Sequence, residues 1–310
     1  MENLTIGIMS PGDMGHSVAS VLYESGCRVV TVLNGRSELS KTRAKRSNME
    51  DLEDLRELVS VSDFIFSIMP PNKAQEFGKE IAEVIDNSGK SPVFVDCNAI
   101  SPDTTLSVAE AIKNSGAIFL NVGIIGPPPG RGPVTKFYAS GEGVNSLKFI
   151  NQNGIKLVPV GDEIIKASAI KMCYAGLTKG IMTLHASILV AAELLGISDE
   201  VQSELKESQE FHWKAMEERV STYVCDAGRW AGEMDQISDT LGSVGVTPNL
   251  HKGAADVFRL LDASPLSIET RENYDKSRTL QQSIEIYAAT ARALKRKKLS
   301  ESGIGKFRTK

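Results

Sequence analysis

Closely spaced cysteines are missing from this sequence. The chain has 310 residues, and its four cysteines lie far apart, at Cys27, Cys97, Cys173 and Cys225. Disulfide scaffolds and zinc sites both use closely spaced cysteines, so the pattern predicts reduced thiols in a cytoplasmic protein. Histidines and carboxylates do not fall at metal-ligand spacing either, and we therefore expect no metal.

An excess of charge of one sign is missing too. The 35 basic and 39 acidic residues give a net charge of −4, which does not indicate a nucleic-acid or membrane partner. The most apolar stretch, residues 181–197, is interrupted by His185 and Glu193, and this favours a helix buried in protein over a membrane span. A predicted strand begins near Met1, which leaves no room for a signal peptide. We expect a small-molecule substrate as partner.

Up to about residue 163, short apolar runs alternate with amphipathic stretches. Runs rich in Val, Ile and Phe predict strands at residues 4–9, 29–33, 64–68, 93–96 and 117–121. This alternation predicts βαβ units and a doubly wound, mostly parallel Rossmann sheet, the α/β fold class. Two further runs, 136–139 and 156–160, are predicted as added edge strands.

The second half of the chain has a different pattern. From Glu163 onward, apolar residues recur at helical spacing almost to the end, which predicts an all-helical domain. We therefore predict a nucleotide-binding domain over residues 1–163 and a substrate and dimerisation domain over 164–310. The first helix of the second half, about 162–195, is long and apolar on most faces, so a homodimer is expected to bury it.

The first predicted strand leads into a glycine-rich turn. The turn fits G-x-G-x-x-G with Ser10 in the place of the first glycine, and we assign cofactor binding to Ser10, Pro11, Gly12, Asp13 and Met14. Gly12 allows the backbone to approach a pyrophosphate, and Gly15 allows the following helix to pack on the strand. A tight βα turn without a ligand is the alternative.

The end of the second strand indicates which dinucleotide binds. NAD enzymes usually place an acidic residue there, but this chain has Asn34, Arg36 and Ser37. An acid would repel a 2′-phosphate, whereas Arg36 can bind it through two donors and the other two side chains can donate to it. The sequence therefore predicts NADP(H) as cofactor; the alternative is that Arg36 is a solvated loop residue.

The chain resembles the β-hydroxyacid dehydrogenase superfamily, which includes 3-hydroxyisobutyrate and 6-phosphogluconate dehydrogenases. Four segments in the same order carry the resemblance: the turn at residues 10–15, Phe-Ile-Phe-Ser-Ile-Met-Pro-Pro at 64–71, Val-Asp-Cys-Asn-Ala-Ile-Ser-Pro at 95–102, and residues 119–129. The resemblance implies that Met69 and Pro70 lie over the cofactor ribose. It also implies that Asn98 makes a polar contact to cofactor or substrate.

The fourth segment departs from the family. Hydroxyacid dehydrogenases carry D-A-P-V-S-G-G there, and the Ser and Gly hold the substrate carboxylate; here Ile125, Gly126 and Pro127 stand at the last three positions. Neither an alkyl side chain nor a proline nitrogen can donate a hydrogen bond. A simple 3-hydroxy acid is therefore not the expected substrate. The segment instead resembles a less characterised branch with a distinct helical C-terminal domain. The three prolines either contact substrate or only stiffen the loop.

The start of the long helix resembles the family's G-x-x-x-K-x-x-N-N. By this resemblance Lys171 is the general acid or base, since hydride transfer to a carbonyl leaves an alkoxide that needs a proton. The family's two Asn are Tyr174 and Ala175 here, so Tyr174 either supplies a hydroxyl to catalysis or only packs. Thr178 lies on the same helix face and is predicted to contact substrate.

Two further side chains in the second half are possible substrate contacts. They are His251 and Arg229, for which a helix cap and a surface ion pair are the alternatives. Together these features predict an NADP-dependent dehydrogenase or reductase that acts on CH–OH groups of a small carbonyl or hydroxy compound. An imine reductase and a catalytically inactive nucleotide-binding regulatory protein remain the alternatives.

Overall fold

The computed structural model describes residues 4–152 and 154–301. The chain divides into two compact units, Met1–Tyr174 and Ala175–Lys310, which are described separately below. The division lies inside a long helix, whereas the predicted domain boundary, between residues 163 and 164, precedes that helix. All four cysteines are free thiols.

The first unit alternates strands and helices. In chain order its elements are β1 (Thr5–Met9), α1 (Asp13–Glu24), β2 (Arg28–Thr31), α2 (Glu38–Arg46), β3 (Glu50–Asp51), α3 (Leu55–Val61), β4 (Phe64–Ser67), α4 (Pro71–Asp86), β5 (Val93–Asp96), α5 (Pro102–Asn114), β6 (Phe119–Ile125), β7 (Thr135–Ser140) and β8 (Ile155–Pro159). A 3₁₀ segment, Val144–Ile150, lies between the last two strands. Each of the seven predicted strands is present, so this part of the prediction is confirmed.

The strands form one sheet in the order β3-β2-β1-β4-β5-β6-β7-β8. The pairs from β3 to β6 are parallel, β7 runs antiparallel to β6, and β8 pairs with β7 in parallel. The strand order reverses direction between β1 and β4, which is the switch point where doubly wound folds bind their ligands. The predicted Rossmann architecture and the two added strands are confirmed, but only β8 is an edge strand, because β7 pairs with both β6 and β8.

The sheet is buried on both faces. Ile6 and Ile8 of β1 enter the core on one face, with Phe66 and Val95, while Met9 enters the core on the other face, with Ile65 and Phe94. Successive side chains of a strand point to opposite faces, so this alternation of two apolar sets requires helices on both sides. Full burial of each such side chain contributes about 1.5–3 kcal/mol.

The second unit is helical. Its elements are the later part of α6 (Lys166–Leu195), then α7 (Ser198–Ser208), α8 (Glu210–Arg219), α9 (Ala227–Ser243), α10 (Asn249–Asp262) and α11 (Leu280–Glu301), with 3₁₀ segments at Val220–Asp226 and Pro265–Ile268. Buried aromatic side chains form its centre, where the rings of Trp230 and Phe258 lie 5.3 Å apart. The predicted all-helical C-terminal domain is confirmed.

Helix α6 has the expected length and apolar character. It spans 30 residues, and by length and composition alone it is long and apolar enough to cross a membrane. In its most apolar segment, 44% is buried inside the protein, and core helices of globular proteins can be equally long and apolar. Length and composition therefore do not decide between a membrane span and a core helix.

Candidate cofactor and active site

The carboxyl ends of three central strands lie side by side. Met9 of β1 pairs with Ser67 of β4, and Ser67 pairs with Asp96 of β5. The N–H groups of the two following residues continue this alignment, because Ile68 donates to the Met9 carbonyl at 3.3 Å and Cys97 donates to the Ser67 carbonyl at 2.9 Å. The three loops that carry the predicted cofactor residues therefore emerge at one edge of the sheet.

The turn after β1 has the backbone geometry of a phosphate-binding loop. Ser10 adopts φ 69°, a left-handed conformation that glycine normally provides, and its carbonyl accepts the Gly12 N–H at 2.7 Å. A Cβ on Gly15 would lie 2.5 Å from the Ser10 carbonyl oxygen, so only glycine fits where α1 meets the turn. A Cβ on Gly12, by contrast, would lie 3.9 Å from the same oxygen, an ordinary van der Waals distance. This cradle fits the pyrophosphate of a dinucleotide.

Three side chains that the motif did not reveal surround this turn: His16, Arg43 and Arg131. His16 Nδ1 donates to the Gly12 carbonyl at 2.8 Å, because a carbonyl can only accept. Burial lowers the pKa of His16, and this favours a neutral imidazole whose hydrogen is on Nδ1. Arg43, on α2, places Nη2 3.9 Å from Asp13 Oδ1. No spacing in the sequence connects these residues, since the turn is reached from separate loops and helices.

The loop after β2 places the predicted 2′-phosphate residues at the start of α2. Ser37 is the N-cap of α2, Arg36 is half-buried and Asn34 is exposed. An acidic side chain does reach the end of β2, from the neighbouring strand: Asp51 Oδ1 accepts the Leu33 N–H at 2.9 Å. This contact could not be predicted from the sequence, because β3 consists of only two exposed charged residues and lacks a strand pattern.

Asn98 connects the ends of β4 and β5. Its Nδ2 donates to Asp96 Oδ1 at 2.7 Å and to Ser67 Oγ at 2.8 Å, and its Oδ1 accepts the Met69 N–H at 2.7 Å. Both hydrogens of the amide are thus used within the protein. Asn98 fixes the position of Met69, and its predicted direct contact to cofactor or substrate stays a prediction. Pro70 follows as the N-cap of α4.

Asp96 is completely buried below this network. Its Oδ1 accepts both the main-chain and the side-chain N–H groups of Asn98, while its Oδ2 has no hydrogen-bond partner among the described residues. Burial raises the pKa of Asp96 to about 7, and the two bonds from Asn98 only partly oppose this. Near neutral pH this carboxyl therefore titrates inside the protein.

Lys171, on α6, lies next to the end of β6. Its Nζ donates to the Ile124 carbonyl at 2.8 Å. Because Asn121 is the partner of Asp96 in the sheet, Ile124 lies three residues, about 10 Å, beyond the level at which β5 ends. The ammonium group is therefore outside the carboxyl edge of the sheet, on the side where the loops of β1, β4 and β5 emerge.

The close approach of α6 to β6 depends on a glycine and on two buried polar side chains. A Cβ on Gly123 would lie 2.5 Å from the Ala167 carbonyl oxygen and 3.0 Å from Lys171 Cβ. Asn121 Nδ2 and Ser140 Oγ both donate to the Ile164 carbonyl, at 2.7 and 2.8 Å. These contacts fix the start of the helix that carries Lys171. The sequence feature that could have identified Asn121 is its position as a polar residue in a predicted buried strand.

The predicted substrate loop begins where β6 ends. Ile125 is half-buried, and Gly126 adopts φ 130° with its added Cβ only 3.2 Å from Thr135 Cα. The Pro127 carbonyl accepts the Thr135 hydroxyl at 2.5 Å. The loop is therefore closed at its base, and the side chains at positions 125 and 127 offer no hydrogen-bond donor.

The remaining predicted site residues lie on α6 or in the second unit. Tyr174 is exposed, one turn after Lys171. Thr178 Oγ1 lies 3.5 Å from the Ala175 carbonyl. His251 is buried against α6 and donates from Nε2 to the Gly176 carbonyl at 3.2 Å, so it is not a helix cap. Arg229 forms an ion pair with Asp226 at 2.9 Å, as the alternative interpretation predicted.

A metal-binding cluster was not expected, and among the described residues no group of three or more His, Cys, Asp and Glu side chains is arranged to hold an ion. The polar groups at the carboxyl edge of the sheet include backbone N–H groups, two arginines and one lysine. These are groups that bind phosphates and that donate protons. The chemistry of the donor set therefore fits a dinucleotide.

Comparisons with known proteins agree with this geometry. Residues 5–144 match the NAD binding domain of 6-phosphogluconate dehydrogenase, and residues 192–261 match a domain of unknown function, DUF1932. An uncharacterised 28.5 kDa protein of Methanothermus fervidus is 27% identical over 66% of this chain and 78% of its own length. The mitochondrial 3-hydroxyisobutyrate dehydrogenase of Drosophila melanogaster is 26% identical over 44% of this chain and 41% of its own.

A solved structure extends the likeness over most of the chain. It is a conserved protein of unknown function described as structurally similar to 3-hydroxyacid dehydrogenases; it is 27% identical, with a TM-score of 0.60, over 84% of this chain and 97% of its own. The fold and the cofactor cradle thus agree with a domain that binds a nicotinamide dinucleotide. The chain is thus similar to 3-hydroxyisobutyrate and 6-phosphogluconate dehydrogenase-like proteins in its first half, and it carries a DUF1932 match in its helical second half.

Proposed function

We propose that this protein is an NADP(H)-dependent oxidoreductase that transfers a hydride between the nicotinamide and a small carbonyl or hydroxy compound. The observation that carries the proposal is the position of Lys171 Nζ, bonded to the Ile124 carbonyl beyond the carboxyl edge of an NAD-binding sheet. The loops that follow β1, β4 and β5 emerge at the same edge. A reactive group at this edge lies where doubly wound folds bind their ligands.

Lys171 supplies the proton chemistry. When bound, the reduced nicotinamide supplies the hydride, and the oxidised form accepts one. As the carbonyl carbon gains its C–H bond, negative charge develops on the carbonyl oxygen, and the Lys171 ammonium transfers a proton to it. In the opposite direction the neutral amine takes the hydroxyl proton. The Ile124 carbonyl orients Nζ, since it accepts one of the three ammonium hydrogens.

Arg36, Ser37 and Asn34 support the choice of NADP(H). All three lie in the loop between β2 and α2, where a doubly wound fold holds the adenosine ribose. A guanidinium and two neutral donors favour a 2′-phosphate, and Ser37 stands at a helix N-terminus, which adds backbone N–H groups and a favourable dipole. The acidic side chain near this strand end, Asp51, already uses one carboxylate oxygen within the protein, where it accepts the Leu33 N–H.

The substrate class follows from the loop at residues 125–127. Side chains there cannot hold a carboxylate through hydrogen bonds, whereas the flank of Ile125 and the ring of Pro127 are apolar. An uncharged or apolar substituent next to the reacting carbonyl suits this surface better than a carboxylate does. We therefore expect aldehydes and ketones to react better than keto acids of the same size.

The test is the oxidation of NADPH by the purified protein against a panel of aldehydes, keto acids and cyclic imines. The proposal expects turnover with carbonyl compounds. Turnover restricted to the imines would identify an imine reductase instead. Tight NADPH binding without turnover on any member of the panel would favour a nucleotide-binding regulatory protein.

A further inference from the structure

The loop between β6 and β7, residues 126–134, reaches from one side of the cofactor site to the other. We call it the strap. Four prolines and glycines with positive φ at 126, 130 and 132 restrict its path, and the bond from Thr135 Oγ1 to the Pro127 carbonyl closes its base. Its far end carries Arg131. In the sheet β6 and β1 are separated by β5 and β4, a distance of three strand spacings or about 14 Å.

The strap bridges this separation, because Arg131 contacts the first turn of α1. Its Nη1 lies 2.6 Å from Asp13 Oδ1, and its Nη2 lies 3.3 Å from His16 Nε2. Because His16 Nδ1 donates to the Gly12 carbonyl, Nε2 carries the lone pair and accepts from the arginine. A guanidinium has five N–H donors, so these two contacts leave three for another acceptor.

The charges around the turn explain why a cation is needed there. Asp13 is the first residue of α1, and its carboxylate would repel a pyrophosphate bound at the N-terminus of the same helix. Arg131 and Arg43 both face the Asp13 carboxylate, and His16 is neutral because burial lowers its pKa. The two arginines and the single carboxylate give the cluster a net charge of +1. The turn therefore attracts a dinucleotide despite its acid.

We infer that Arg131 is a cofactor-binding residue that donates to the pyrophosphate of the dinucleotide, and that the strap thereby connects the pyrophosphate site to the loop that holds the substrate. This inference rests on the proposed function, since it needs a dinucleotide at the turn. Arg131 and residues 125–127 belong to one short loop whose base is closed. Contact between Arg131 and the pyrophosphate therefore fixes the substrate loop over the sheet edge.

The experiment measures binding of two probes by isothermal titration calorimetry. 2′-Phospho-ADP-ribose contains the pyrophosphate and the 2′-phosphate, whereas adenosine 2′-monophosphate contains only the 2′-phosphate. Arg131→Gln is expected to weaken binding of the first probe about 10- to 100-fold and to leave the second unchanged, because one set of charge-assisted bonds is lost. Arg131→Lys keeps the charge and is expected to lose about 3- to 10-fold. Arg56→Gln, an exposed arginine on α3, is the matched control.

A double variant separates binding from mere neutralisation of Asp13. If Arg131 donates to the pyrophosphate, Asp13→Asn/Arg131→Gln stays weaker than Asp13→Asn by a similar factor. Full recovery of wild-type affinity in the double variant would overturn the inference, as would equal binding of the first probe by Arg131→Gln and wild type. Either of these results would overturn the inference about Arg131 alone. If wild type itself bound neither probe, the proposed function would fail as well, so the failure of the inference is distinguishable from the failure of the proposed function. Thermal unfolding of each variant verifies folding.

Discussion

The Lys171 ammonium donates to the Ile124 carbonyl across 2.8 Å, and this bond joins the start of α6 to the end of β6. The lysine is therefore held by the strand that leads into the predicted substrate loop. Its neighbour Met172 is buried, and Tyr174, one turn along, is exposed. The side chain that would move the proton and the loop that would hold the substrate share one structural support.

Replacing Lys171 is the direct test of this arrangement. Lys171→Met should lower turnover by about 10²- to 10⁴-fold, the usual contribution of a general acid or base. The dissociation constant for NADPH should stay within about twofold of wild type, since the phosphate loop is untouched. Steady-state kinetics and nicotinamide fluorescence titration measure the two quantities.

Lys166→Met is the matched control for this experiment. Lys166 is the first residue of the same helix and is exposed, so its loss should change neither quantity. Retention of wild-type turnover by Lys171→Met would show that another group moves the proton.

Gly123→Ala should displace the lysine without changing any polar group. The new Cβ would lie 2.5 Å from the Ala167 carbonyl oxygen, so β6 and α6 must separate. Overpacking of this kind costs about 1–3 kcal/mol of unfolding free energy, and turnover should fall further than stability alone explains. Thermal unfolding and kinetics check this.

Gly253→Ala is the control: its Cβ meets open space in α10, and it should be neutral or stabilising. Wild-type behaviour of Gly123→Ala would contradict the close approach.

The stability of the protein should fall with rising pH because of Asp96. Its folded pKa is about 7 against an ordinary value of 3.8, so between these values the folded state holds a proton that the unfolded state has lost. The stabilisation is complete below pH 3.8 and is lost as pH rises through 7. Asp96→Asn keeps an acceptor for Asn98 and does not titrate. The difference in unfolding free energy between wild type and this variant should shift by roughly 4 kcal/mol from pH 4 to pH 8.

Urea unfolding at several pH values measures this difference directly. Asp103→Asn, an exposed carboxylate in the first turn of α5, serves as the control and should show little pH dependence relative to wild type. A difference for Asp96→Asn that does not change with pH would mean that the buried carboxyl stays in one protonation state throughout.

The exposed face of α6 leads us to propose a homodimer. Leu177, Leu184, Ile188 and Leu195 are all exposed on this helix, and their spacing of seven, four and seven residues is that of a helix–helix seam. Leu184→Glu should convert a dimer into a monomer in size-exclusion chromatography with light scattering, because the charge would enter the seam. Ile268→Glu changes an apolar residue outside the helix that is even more exposed, and it should leave the dimer intact. A wild-type monomer at micromolar concentration would contradict the proposal.

The sequence was sufficient for the fold because its signals are local. Apolar runs of four to six residues, with helical spacing between several of them, predicted β1, β2, β4, β5 and β6, and the first of these runs ended at the glycine turn. Even the substitution of Ser10 was interpretable, since the structure shows this serine in the conformation of the glycine it replaces. By contrast, β3 has two charged residues and no apolar pattern, so it was missed.

The candidate site was only partly predictable because several of its contacts join distant parts of the chain. The bond between Arg131 and Asp13 spans 118 positions, and neither residue belongs to a motif that implies the other. Asn98 was recognised, but its bonds to Ser67 and Met69 depend on strand neighbours that only the sheet order supplies. Motifs thus indicated which residues matter, whereas their partners required the tertiary structure.

The most direct measurement is a fluorescence titration of the purified protein with NADPH and with NADH, repeated with Arg36→Ala. We predict that NADPH binds at least about tenfold more tightly than NADH, because the Arg36 side chain contributes charge-assisted bonds to the 2′-phosphate. We also predict that Arg36→Ala weakens binding of NADPH and leaves binding of NADH unchanged. Equal or tighter binding of NADH by the wild-type protein would contradict the choice of cofactor, and binding of neither would contradict the function.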